Sequence, residues 1–292
     1  MRRGGFGAAL LVLALSSIAG CTLTTHSGSS ALGFFVSSQQ PSGVRSLANT
    51  LGVQVQGISA YTDGTSWSSI GSYQPPATTL RLYLGVSMSP DNGAPSQTPA
   101  HLAVYQRLAQ SLVNGGQPYA IIRIGWEWNT TFFSWGEQNT TPAQYVTAFD
   151  DIVSTMRSVP GQQFRFDWCA GSGNTPTNGS YADSYPGDQY VDYIGTDQYD
   201  NPVTSWNDNL TMVGGLAYTV SFAVAHGKVV SIPEWGLNGT DDPTFVDLMH
   251  SFIADPANQV GYSSYFSDNA GVDSDITQFP NAEAAFTRDF AG

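Results

Sequence analysis

The sequence predicts one α/β domain over residues 32–292, a closed (β/α)8 TIM barrel. Three observations predict it. Eight short runs are apolar or alternate in polarity, and most are separated by stretches of helical periodicity, the pattern of parallel βαβ units. About 260 residues follow Ala31, the length eight such units take. No Gly-rich turn follows the first strand, so the doubly wound nucleotide-binding sheet is set aside.

The leader comes first. Arg2 and Arg3 give a basic start, residues 8–15 are apolar but too short to span a bilayer, and small residues lead to Cys21. Residues 1–20 read as a signal peptide. Ile18-Ala-Gly-Cys21 resembles a bacterial lipobox, which implies cleavage before Cys21 and its lipidation. Residues 21–31 are rich in Ser and Thr and read as a flexible tether. The expected location is the outer side of the cell membrane, or secretion if Cys21 carries no lipid.

Strands are expected over residues 32–36, 53–60, 80–86, 120–125, 163–168, 191–196, 229–232 and 262–266. The clearest helices fall at 101–112, 143–156, 212–225, 244–253 and 282–290. The Gly-rich stretch 171–179 precedes no convincing helix and reads as a loop.

Composition excludes several functions. The net charge is −13 and Lys228 is the only lysine, so a phosphate backbone is repelled and nucleic acid is not an expected partner. A neutral glycan fits better than an acidic one. The only cysteines are Cys21 and Cys169; a lipidated Cys21 leaves Cys169 without a partner for a disulfide or a thiolate metal site. The four histidines (His26, His101, His226 and His250) show no paired-ligand spacing. The Asp-rich stretch 268–275 lacks the pattern of a calcium-binding EF-hand loop. No metal and no cofactor are expected.

Glutamate is scarce, with only Glu127, Glu137, Glu234 and Glu283 in the chain. Glu127 follows the fourth expected strand and Glu234 the seventh, at the barrel end where active sites form. Glycoside hydrolysis needs two such carboxyl groups flanking the scissile bond. Arg123, Gly125 and Glu127 share one face by strand alternation, as do Gly195, Asp197 and Tyr199. An inward Arg123 requires an anion, from Asp197, Asp167 or a catalytic glutamate; a purely structural Arg–Asp pair is the alternative. Tyr199 could donate a hydrogen bond to Glu234 and keep it ionised. Trp126, Trp128, Trp135, Trp168 and Trp235 fall at or just after strands 4, 5 and 7, where indole could stack on sugar rings. Tyr61, Phe132 and Phe133 are further candidates for the cleft wall.

The run Arg123-Ile-Gly-Trp-Glu-Trp-Asn-Thr-Thr-Phe-Phe-Ser-Trp-Gly136 resembles the acid/base motif of glycoside hydrolase family 26, the β-mannanase family. Ile232-Pro-Glu-Trp-Gly236 resembles its nucleophile motif, and residues 185–200 resemble its strand-6 segment. The resemblance implies a retaining O-glycosyl hydrolase, with Glu127 as acid/base, Glu234 as nucleophile and Tyr199 as the nucleophile's partner. Trp126, Trp128, Asn129, Trp135, Trp168, Trp235, Tyr61, Asp197 and Arg123 are then the candidate substrate contacts. Trp126 stands where many members have histidine, which bears on the preferred sugar more than on mechanism. The expected substrate is a neutral β-linked polysaccharide of mannan type, and the protein is expected to be a monomer. Alternatives are a β-glucan or xylan substrate, transglycosylation, or a catalytically silent glycan-binding lipoprotein.

Overall fold

The computed structural model describes residues 30–269 and 271–291. The leader, Cys21 and most of the tether lie outside them. Eight parallel strands close a barrel in chain order: β1 (Ala31–Val36), β2 (Gly57–Tyr61), β3 (Arg81–Val86), β4 (Ile121–Ile124), β5 (Arg165–Gly171), β6 (Tyr193–Tyr199), β7 (Val229–Gly236) and β8 (Val260–Ser267). Closure runs through β8 onto β1, in register from Ala31–Tyr262 to Val36–Ser267. The helices are α1 (Pro41–Leu51), α2 (Trp67–Gly71), α3 (Leu102–Asn114), α4 (Pro142–Arg157), α5 (Trp206–Thr211), α6 (Leu216–Ala225), α7 (Pro243–Ala254) and α8 (Pro280–Phe290). The sequence therefore predicts the fold, and the differences are local.

Residues 53–56 are not strand, because Gly52 ends α1 in the left-handed region and turns the chain there. Ala31, placed in the tether by composition, already belongs to β1. The helix expected over 212–225 begins only at Leu216, as α6; residues 212–215 form a turn through Gly214, whose φ is 68°, and the short α5 precedes it. No α-helix follows β5, where a 3₁₀ turn (Tyr181–Ser184) stands instead.

β6 and β7 run further than their apolar cores suggested, and β7 contains Pro233 and Glu234. Proline has no N–H to give to a ladder. The register with β8 accordingly shifts between Ile232 and Trp235, and that with β6 between Gly195 and Gln198. This irregularity sits beside the functional side chains, as bulges often do.

Inside the barrel, Tyr83, Ile121 and Tyr262 form an apolar floor. Above it, Asp167 accepts hydrogen bonds from Ser231 (2.7 Å) and Tyr262. The outward residues of the strands, such as Ile122, Phe166 and Ile232, join the helices in the main core.

Candidate active site

Glu234 is buried at the carboxyl-terminal end of the barrel and is held by three donors. Tyr61 Oη donates to Oε1 at 2.6 Å, Arg123 Nη1 to the same oxygen at 2.9 Å, and Tyr199 Oη to Oε2 at 3.0 Å. An ionised carboxylate is acceptor-only, so this set of partners complements it. Burial, then the charge of Glu234, holds both tyrosines well above their ordinary pKa, so they remain donors.

Arg123 ties the second carboxylate into the same cluster. Its Nη2 contacts Asp197 Oδ2 at 2.6 Å, and it is 1% exposed. Burial works against its charge, but Asp197, Cys169 and Glu234 outweigh burial and hold the guanidinium well above its usual range. Asp167, one of the expected partners, is engaged lower in the barrel instead, its Oδ2 accepting from Ser231 and Tyr262.

Glu127 occupies a different environment. It is half-buried, and among the described residues nothing donates a hydrogen bond to its carboxyl group. Burial, followed by the nearby charge of Glu234, pushes its pKa up to about 8, against an opposing pull from Arg123. The residue does not reach the cleft by strand alternation as expected. β4 ends at Ile124, and Glu127 then takes a left-handed φ of 49°. Its carbonyl accepts from Thr130 N and Thr130 Oγ1, both at 2.9 Å, and its N–H donates to Cys169 O at 2.9 Å. A non-glycine residue held in that region carries strain, which the surrounding bonds must sustain.

Two glycines make room for this arrangement. A Cβ on Gly85 would stand 2.4 Å from the Tyr61 ring, so the ring that reaches Glu234 lies across β3 only because that position is bare. A Cβ on Gly171 would come within 3.3 Å of Glu127 Oε1.

Beside the glutamates lies a polar cleft compartment of about 390 Å³, lined in part by Glu127, Asn174, Asp197, Tyr199, Asp200 and Asn209. Gln198 and Asp200 also line it, and each carries a buried side-chain oxygen with no hydrogen-bond partner. Buried acceptors left open at a cleft suit hydroxyl-rich ligands.

Several expected substrate contacts are corrected. Trp168 and Trp235 are fully buried and point outward between barrel and helices, Trp168 against Phe222 and Trp235 against Phe245, Phe286 and Phe290. Trp128 stacks on Trp168 at 5.3 Å in the same layer. Trp135 is buried, stacks on Phe133 and donates to the Trp126 carbonyl at 2.8 Å. Alternation explains the loss for strand residues, since the neighbour of an inward side chain points outward. Asn129 is spent on the β5 end, bonding Gly171 N (2.8 Å), Gly171 O (2.8 Å) and Asn174 O (2.7 Å). Arg123 bonds both Asp197 and Glu234, and Asp197 also lines the polar cleft compartment. Trp126 remains beside Tyr61, ring centres 5.0 Å apart. Phe132 is 83% exposed. Tyr61 was expected only as cleft wall; its bond to Glu234 crosses 173 residues and has no local signal.

The other two glutamates are elsewhere. Glu137 holds Thr177, and Glu283 lies in the first turn of α8. Among the described residues no group of three or more His, Cys, Asp or Glu side chains could hold a metal ion, and no helix is long and apolar enough to cross a membrane.

The family model for glycosyl hydrolase family 26 matches residues 71–237. A mannan endo-1,4-beta-mannosidase of Bifidobacterium adolescentis is 27% identical over 115 residues, covering 38% of this chain and 12% of that protein. Endoglucanase H of Acetivibrio thermocellus is 25% identical over 166 residues, 55% of this chain and 18% of its own. This chain thus spans less than a fifth of either relative's length. Among solved structures, an endo-beta-1,4-mannanase double mutant of Cellulomonas fimi superposes with a TM-score of 0.65 at 19% identity, over 90% of this chain and 71% of that one. A family 26 beta-mannanase of Bacteroides ovatus gives 0.64 at 14% identity, over 91% and 89%. At such identities the superpositions speak for the fold.

Proposed function

This chain belongs to glycosyl hydrolase family 26, and we propose that it cleaves a neutral β-linked polysaccharide of mannan type with retention of configuration. One observation carries the proposal: two carboxyl groups at one cleft sit in opposite surroundings, Glu234 among three donors and Glu127 with none. Retaining chemistry needs this division. Glu234 attacks the anomeric carbon and forms an ester with the sugar, while Glu127 gives its proton to the departing glycosidic oxygen. Glu127, now ionised, takes a proton from water; that water attacks the anomeric carbon and Glu234 leaves as carboxylate. Tyr61, Tyr199 and Arg123 hold Glu234 in line.

Mannan is put before glucan because the mannan endo-1,4-beta-mannosidase is the more identical of the two curated relatives, at 27% against 25% for the endoglucanase. Hydrolysis of a panel of β-mannan, β-glucan and xylan, with product analysis, tests the assignment. Greater activity on β-glucan or xylan would overturn the sugar, and inactivity on all three would favour a binding protein. Activity should survive exhaustive EDTA treatment; loss restored by a divalent cation would sink that expectation.

The pH profile follows from Glu127. The acid works only while protonated, so kcat/KM should fall as pH rises through about 8. Stability has the same sign. A carboxyl raised in the folded state contributes stability at low pH that is lost as pH rises from its unfolded value through about 8. Glu127→Gln should therefore gain thermal stability over the parent at alkaline pH and little at acid pH. An equal shift at both extremes would refute this.

We further propose that Cys21 is lipidated and holds the protein at the outer face of a cell membrane. The support is the lipobox-like sequence alone. Cys21→Ser should abolish incorporation of labelled palmitate in a bacterial host, and unchanged labelling would refute it.

A further inference from the structure

We infer that the amino-terminal rim of the barrel, opposite the glutamates, is a docking surface for a membrane of anionic phospholipid. In a parallel barrel the strand starts and helix ends share one rim, so a charge's place along its element tells which rim it occupies. Acidic side chains crowd the carboxyl-terminal rim: Asp63, Asp91, Asp200, Asp241, Asp268 and Asp275 all follow strand ends. Cations gather at the other. Arg81 opens β3, Arg165 opens β5, Arg157 closes α4 and Lys228 precedes β7. In a chain with 10 Lys and Arg against 23 acids, that separation makes a strong axial charge asymmetry.

The cations converge. Arg81, Arg157 and Arg165 line one depression of about 540 Å³ together with Tyr119, Gln163 and Asp192. Asp192 is the only carboxylate in its lining and is divided between two of them, 2.8 Å from Arg165 and 3.5 Å from Arg157. Arg81 donates to the Tyr119 carbonyl at 2.7 Å. Three guanidinium groups against one carboxylate leave the depression positive. Along the same rim Lys228 donates to the Asp188 carbonyl at 2.6 Å, while the Asp188 carboxylate takes His226 at 2.9 Å. The remaining acids of this rim, Asp255 and Asp289, follow α7 and end α8 on the other side of the barrel, the latter bonded to Arg288.

Apolar groups on the rim point to lipid rather than a soluble anion. Tyr119 is 56% exposed at the depression, and Val224, in the last turn of α6, is 55% exposed. Tyrosine is a favoured side chain at the bilayer interface. β1 also begins on this rim, so the preceding chain joins the domain there. A barrel seated this way directs its acidic, glutamate-bearing cleft away from the membrane, toward a polymer outside it. The docking rests on the rim's own charges and does not depend on acylation.

Residues 31–290 close the barrel and its core by themselves, so the chain starting at residue 22, free of leader and Cys21, carries the test. It is floated with vesicles of phosphatidylcholine alone or mixed with phosphatidylglycerol. Binding is expected only to the mixed vesicles and is lost in high salt. Each cation near such a surface contributes about five-fold, so Arg81→Gln with Arg165→Gln should weaken binding about 25-fold and leave glycan hydrolysis unchanged. If the double variant does not fold, Arg165→Glu alone, with a side chain 60% exposed, serves the same purpose. No binding to mixed vesicles, equal binding to phosphatidylcholine, retention by the folded variant, or equally tight binding of soluble polyphosphate would overturn the inference.

Discussion

Replacing Glu234 with alanine should lower kcat on the natural polysaccharide by about 10⁴-fold or more, the scale seen when a nucleophile is removed from a working constellation. Azide distinguishes its role from that of Glu127. Without Glu234 the face opposite the leaving group is open, and azide entering there should give a glycosyl azide of inverted configuration from an activated substrate. Without Glu127, Glu234 can still form the ester when the leaving group needs no proton, and azide should then displace it to give the retained product. The structure supports the two assignments separately. Glu234 receives Tyr61, Arg123 and Tyr199 on its two oxygens, while Glu127 has its pKa raised to about 8 by burial and by Glu234. Swapped stereochemistry would reverse the roles. Near-normal hydrolysis by either variant would remove that residue from the mechanism.

How much of this was legible in the sequence depends on the range of the forces involved. All eight strands could be read because a barrel strand packs its outward side against helices, which leaves an apolar run whatever its partners are. Strand ends could not. β7 carries Pro233 and Glu234, which read as the end of a strand, yet the chain continues through a register shift to Gly236. Glu127 was found from scarcity and position, but its route into the cleft is a left-handed turn after β4, which alternation does not describe. The tryptophans show the opposite failure. Their clustering near strand ends suggests a sugar platform, whereas Trp168 and Trp235 serve the barrel–helix layer, a distinction fixed by which way one residue of a strand faces, and Trp128, in the turn after β4, stacks on Trp168 there. Tyr199 was legible as a donor to Glu234 because adjacent strands β6 and β7 carry the pair. Tyr61 was not, since β2 and β7 meet only across the closed barrel.

Arg123→Met should destabilise the fold by about 3–5 kcal/mol, the cost of breaking a buried ion cluster by removing one partner. For a domain of this size that lowers Tm by about 10 °C. The residue is 1% exposed and bonds Asp197 and Glu234 together, so its loss leaves two carboxylates facing each other across a space that water barely reaches. The pH dependence gives the prediction its sign. Burial already raises the Asp197 carboxyl, and Arg123 is the larger of the two groups that oppose it, the other being the Cys169 thiol. Without that opposition its folded-state pKa rises further. Stability is then retained below the unfolded value of about 4 and lost as pH climbs through the raised folded value. The deficit of Arg123→Met against the parent should thus be small in acid and grow toward neutral pH. Adding Asp197→Asn should recover part of it, because removing both partners leaves less unpaired charge than removing one. Catalysis should not recover in the double variant, since Glu234 still lacks the cation that fixes Oε1. Thermal unfolding across pH of the parent, the single and the double variant tests this chain of reasoning. A deficit constant with pH, or largest in acid, would show that Arg123 acts by filling space rather than by its charge.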